Sequence, residues 1–474
     1  MLIQRLFLCF GLFLICISCS KQESVSIPKS FDVIVEELQD KTQFPAVQSF
    51  VLAQGSNPDQ WLIFAGRTNG MHGFELDNYE GKSFPIRNFN DTIWVYNYAE
   101  DQRVGFPVNQ IDGPGSLLFK ATNLQHFQDG NSLYVSGGYG ENDSIAVDDM
   151  LERYDTYSSM ARIDVDGMIN SIVDGAKKDE VNQHIIYGSD EMVRATGGEL
   201  YKLEDHFYLA GGHVYKGMFS VKQDGTITPT SQQYLNAIHR FKLGEVDGML
   251  ELTDASKITD GFADDSTQFR RRDLPVTPAV YFSEDGSWDE GFAMYAGVFT
   301  SPKNKIKTVE TDDAWNWPIF VYKDGSYTID SNLEQYTNIY SAPSFVAVDE
   351  PSRTVYTTII GGIDTTNMAA YSNTVSTIEQ TLNENRFVYN TIQQALIPGD
   401  HFFGAEAFMV LDDSNRLAGA KLDVFDISGL NPGDEINIGL FCGGIEAFIP
   451  NPSGFGPGKS QASNKIWRVK LRVK

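Results

Sequence analysis

Six short apolar runs, each ending in glycine, constrain this chain more than any other feature. They are WLIFAG at 61–66, LYVSGG at 133–138, FYLAGG at 207–212, FAMYAG at 292–297, VYTTIIGG at 355–362 and NIGLFCGG at 437–444. Short β-branched and aromatic runs closed by glycine read as buried strands. A pattern that recurs along a whole chain describes one supersecondary unit repeated, because such a unit buries its apolar face only by stacking on a neighbour. On this reading the equivalent glycines are Gly66, Gly137, Gly211, Gly297, Gly361 and Gly443.

Most runs have a second apolar segment before them, at 46–52, 278–282, 342–348 and 405–411. A third follows, at 92–96, 160–165, 237–243 and 465–471. Asp-Gly pairs at 166–167, 247–248 and 324–325 then lead into a fourth. Asp-Gly between alternating apolar runs is a two-residue hairpin signal. Long helical periodicity is missing, so the chain is expected to be all-β, with four antiparallel strands per unit. The last unit has only three strands of its own. The opening segment FDVIVEE at 31–37 alternates with period two and has no unit. It is predicted to complete the last unit, which would join the chain ends and remove a free sheet edge.

Six units of this kind resemble a kelch-type β-propeller. The resemblance implies a six-bladed β-propeller over residues 31–474, with glycines where the blades crowd together. The kelch repeat runs about 50 residues, so the longer units here carry their excess in loops. The stretches 207–241, 270–299 and 404–408 are also similar to kelch-like exported proteins of Bacteroidota, a group for which no activity is established.

The N-terminus carries Arg5 and then an apolar run from Leu6 to Ile17. As a helix that run is about 18 Å long, short of the roughly 30 Å of a bilayer core, and it suits a signal peptide. Ile17-Ser18-Cys19 resembles the lipobox of bacterial lipoproteins. The resemblance implies a signal peptide at 1–18, a lipid on Cys19, a tether at 19–30 and a body anchored to the outer membrane. Ser-Lys-Gln-Glu at 20–23 resembles a surface-export signal and points to the cell surface. Cys9 and Cys16 fall in the discarded segment. Cys442 is then the single unmodified cysteine, and stability must come from the core.

Charge excludes one class of partner. With 63 acidic and 37 basic residues the formal net charge is −26. No basic stripe is present, so nucleic acid is not an expected partner. No P-loop, H-E-x-x-H or G-x-S-x-G occurs. The seven histidines are scattered, and neither a metal nor a cofactor is expected. The chain is expected to be a monomer.

In a propeller, the loops after strand two and into strand one share the channel face. They gather Arg67 and His72, then Tyr139, then His213 and Tyr215, then Arg270, Arg271 and Arg272, with Glu406 opening an inner strand. Asp273 reads as a turn residue. This mixture of cationic, aromatic and acidic groups suits a polar or anionic ligand. Each has a plainer alternative: an ion pair for Arg67 and Glu406, a solvated charge run for the three arginines, loop packing for the tyrosines and histidines. The leading expectation is binding of a glycan or protein partner through the channel face. The alternative is an enzyme acting on a sugar or sugar acid, of mutarotase or hydrolase type, with Glu406 as acid or base.

Overall fold

In the computed structural model the described residues are 26–72, 83–142, 145, 150–218, 230–262, 267–298, 315, 317–364, 370–383, 386–452 and 458–474. The segment read as a signal peptide, with the lipidation expected at Cys19, lies outside them.

The protein is all-β. Four-stranded antiparallel meanders recur along the chain. The first holds Val51–Gln54, Gln60–Phe64, Thr92–Asn97 and Gln102–Pro107. The second holds Gln125–Asp129, Ser132–Ser136, Ser159–Asp164 and Ile185–Ser189. The third holds Thr196–Leu203, His206–Lys216, Ile238–Val246 and Met249–Ile258. The fourth and fifth occupy Val276–Ile329 and Ser344–Leu396. The sixth takes Phe408–Leu411, Glu435–Cys442 and Ile466–Val473 from the C-terminal region and Phe31–Glu37 from the N-terminal one. Phe31 pairs with Val473 and Glu37 with Trp467. Alternation buries Phe31, Val33 and Val35 against Val469, Leu471 and Trp467.

Two departures from the sequence reading have clear causes. Asp166-Gly167 is not a hairpin but the first turn of a helix, Val165–Val173. Asp164 caps it by accepting from the Gly167 amide at 3.1 Å. Val165, Met168, Ile169 and Ile172 form its buried stripe. Separately, Val424–Asp426 adds a parallel strand beside the first strand of the fifth unit, pairing Val346 with Val424.

The glycine runs have a definite role, in a different register from the one first read. In every unit two consecutive residues have positive φ, inside strand two in the third unit and just after it in the others. The second is always glycine: Gly66, Gly138, Gly212, Gly297, Gly362 and Gly444. The first is Ala65, Gly137, Gly211, Ala296, Gly361 or Gly443. Each second-position amide donates to the next unit. Gly66 donates to Ala121 O at 2.8 Å, Gly138 to Ala195 O at 2.8 Å and Gly212 to Arg271 O at 2.7 Å. Gly297 donates to Ile339 O at 3.0 Å and Gly362 to Phe403 O at 3.2 Å. Gly444 then donates to Val47 O at 2.9 Å, from the sixth unit back to the first.

A second series runs beside it through the residue that leads into each unit's first strand. Asn123 N donates to Ser49 O, Gly197 N to Asn123 O, Asp273 N to Gly197 O, Ser341 N to Asp273 O and Glu406 N to Ser341 O, at 2.7 to 3.2 Å. Five of these six residues, all but Ser341, set the floor of the candidate site.

Candidate functional site

Ser49, Asn123, Gly197, Asp273 and Glu406 line two cavities at once. The first, of about 520 Å³, is lined by Arg67, His72, Tyr139, His213, Tyr215, Arg272 and Glu406 among others. Seven side chains singled out from sequence therefore share one cavity.

Arg67 is anchored by its backbone, which exchanges 2.9 Å hydrogen bonds with Gln48. Only 2% exposed, its guanidinium lies 4.6 Å from the centre of the Phe84 ring. Arg272 enters from the lead-in to the fourth unit, its backbone bridged to Val298. Its Nε lies 3.5 Å from Asp273 Oδ2, and the carboxylate raises the Arg272 pKa against the opposing effect of burial. Two cations from different units thus face a single space.

Both histidines there are neutral at physiological pH. Burial pushes His72 down to about 3, and Arg67 and Arg272 push the same way. His213 is held well below its ordinary value by burial, then by Arg272 and Arg270. Its Nε2 lies 3.4 Å from Arg272 Nη1. Its Nδ1 is buried with no hydrogen-bond partner among the described residues. Tyr139 spends its hydroxyl on Gly217 O at 2.7 Å, so its ring shapes the wall, while Tyr215 packs edge-on to His213.

The floor is acidic. Glu406 Oε2 accepts from Asn123 Nδ2 at 3.4 Å. Burial and then Asp273 push the Glu406 carboxyl up to about 7, against the opposing pull of Tyr340, Ser49 and Arg67. Glu406 is therefore a carboxyl that can give or take a proton near neutral pH. Burial raises Asp273 as well, while Arg272 opposes.

Arg270 and Arg271 do not join this cavity, which corrects the expectation for them. Arg270 stacks its guanidinium 3.8 Å from the centre of the Tyr234 ring. Arg271 is fully buried and donates to the carbonyls of Gln268 at 2.8 Å, Ala296 at 2.9 Å and Trp317 at 2.7 Å. The Arg271 amide donates to Phe269 O at 2.9 Å, so the backbone turns at Arg270 and the three adjacent arginines leave it in different directions.

Sequence reasoning passed over Asp273, Tyr340, Tyr371 and Asn123, all of which line the cavity. Asp273, read as a turn residue, does have positive φ, and it also carries charge into the site. Aligning the units on the residue before strand one would have found it. Ser49, Asn123, Gly197, Asp273, Ser341 and Glu406 hold equivalent places.

No family model matches this chain, and no curated protein sequence matches it. Among solved structures it is similar to the structure of YjhT, with 12% identity over 73% of this chain and 84% of that chain and a TM-score of 0.41.

Proposed function

We propose that this chain is a six-bladed, kelch-like β-propeller lipoprotein, exported and anchored by a lipid on Cys19. It binds the acidic sugar of a glycan in the cavity that holds Arg67 and Arg272. The propeller reading is supported by the glycine amides that link each meander to the next and the last to the first. The lipoprotein and outer-membrane reading rests on the N-terminal sequence alone. Metabolic labelling with a palmitate analogue tests it: wild type should incorporate the label and Cys19→Ala should not.

The observation that carries the binding proposal is the pair of arginines, Arg67 buried and Arg272 half-buried, that face one cavity of about 520 Å³. A carboxylate bound there meets donors that no neutral sugar needs. His213 Nε2 faces Arg272, so its neutral ring carries the proton on Nδ1, a donor with no hydrogen-bond partner among the described residues that suits a hydroxyl. The groups are recessed, which favours a small ligand or a glycan terminus over a flat protein face. Calorimetric titration with D-glucuronate and D-glucose tests this. Saturable binding of the acid, at least tenfold tighter than of glucose, is expected; equal binding or none refutes it.

A second reading is favoured by the Glu406 carboxyl, which titrates near 7 on the floor of the same cavity. In that reading Glu406 is a general acid or base acting on the bound sugar. Glu406→Gln should then retain glucuronate binding and abolish any ring-opening or hydrolytic turnover seen by NMR.

A further inference from the structure

The same floor closes a second cavity, of about 820 Å³, that contains neither Arg67 nor Arg272. Its inner end carries three carboxyl groups: Glu199, two residues past Gly197 in the third unit, with Asp273 and Glu406. Its wall includes Phe127, Tyr201 and Phe408. The rings of Phe127 and Tyr201 meet edge-on, with centroids 5.7 Å apart.

The two sides of the floor therefore differ in charge. On the first side Arg67 and Arg272 offset the carboxylates. On the second, Glu199 meets no cation and no hydrogen-bond donor among the described residues; its charged neighbours are Glu406 and Asp273. Glu406 Oε1 is buried with no hydrogen-bond partner among the described residues. Two cations also line this cavity, Arg416, 3.8 Å from Asp413 and 3.6 Å from Asp423, and Lys421, and they are set against Asp129, Asp413 and Asp423 in the same lining. Unpaired carboxyl acceptors beneath aromatic walls favour a positively charged group over a neutral or anionic one. The volume exceeds what a bare ammonium needs, and the walls supply apolar surface for the rest of a ligand.

We propose that this second cavity binds an ammonium group carried on an apolar or aromatic body, with Glu199, which releases its proton to solvent as the ammonium binds, as its principal counter-charge. The site is separate from the arginine cavity and does not depend on the glycan reading. A peptide N-terminus and a lysine side chain both present this chemistry.

Calorimetric titration of the full chain with 2-phenylethylamine and its neutral isostere 2-phenylethanol tests the proposal. The amine should saturate, with the alcohol at least tenfold weaker. Glu199→Gln, which keeps the side-chain shape, should weaken the amine at least tenfold. Saturating D-glucuronate should not displace it. Equal binding of amine and alcohol, no binding of either, unchanged affinity in Glu199→Gln, or displacement by glucuronate would each overturn the proposal. The wild-type comparison of amine with alcohol stands even if the variant fails to fold. L-phenylalaninamide and Nα-acetyl-lysine amide distinguish the two sources: tight binding by either supports the site and identifies the source, and binding by neither refutes it.

Discussion

Gly444 donates its amide hydrogen to the carbonyl of Val47 across 2.9 Å, and this contact joins the last unit of the chain to the first. Its φ is +83°, and a Cβ built there would stand 2.6 Å from Ala405 O. Strained backbone and a backbone clash therefore fall on the same bond. Gly444→Ala should cost about 3 kcal/mol of unfolding free energy. Gly429, which has open space around its Cβ position, serves as the control. Gly429→Ala should stay within about 0.5 kcal/mol of wild type in urea denaturation.

Arg271 is structural, and its variants should separate stability from binding. Burial alone pushes its pKa down to about 9. Three carbonyl groups would lose their donor in Arg271→Met. Each buried polar group left unsatisfied costs about 1–3 kcal/mol, so the variant should lose about 3 kcal/mol or more in denaturation. Among molecules that remain folded, calorimetry should find glucuronate affinity unchanged.

Glu406 predicts a pH signature. Its carboxyl holds a proton more tightly in the folded chain, up to about 7, than at the ordinary value of 4.5. Between those two values the folded state binds more protons than the unfolded state, so stability falls as pH rises through that window. Glu199, pushed up to about 8 by burial and then by Glu406 and Asp273, extends the decline. Glu406→Gln removes one of these proton-linked penalties. Its Tm should exceed that of wild type at pH 8, and the difference should shrink towards pH 4. A Tm difference independent of pH would contradict the assignment.

These residues also show what the sequence makes legible. Phe31–Glu37 could be placed against the last unit because period-two alternation and a missing fourth strand pointed the same way. The glycine repeat was visible, but its register was not. The bonded position is the second of two positive-φ residues, and alanine holds the first at Ala65 and Ala296, so single glycines and glycine pairs align ambiguously. The helix at Val165–Val173 carries an apolar spacing of three and four residues, but Asp-Gly inside it imitates a turn. In the site, Arg67, His72, His213 and Glu406 were recognisable because each adjoins a repeat glycine or a first strand. Arg270, Arg271 and Arg272 were not separable, because a run of one residue type hides which member faces inward. Glu199 was invisible for another reason. It lies one alternation past Gly197, in a strand that reads as ordinary sheet, and its environment depends on carboxyls more than seventy residues away.

The arginine cavity is the centre of the functional account, and affinity for an acidic sugar in single-arginine variants tests it most directly. Calorimetric titration of D-glucuronate should saturate on wild type and on Arg270→Gln, whose side chain lies outside the cavity. Arg67→Gln and Arg272→Gln should each weaken binding at least tenfold, a loss of about 1.4 kcal/mol or more. Wild-type affinity in both cavity variants, with folding confirmed by circular dichroism, would contradict the account.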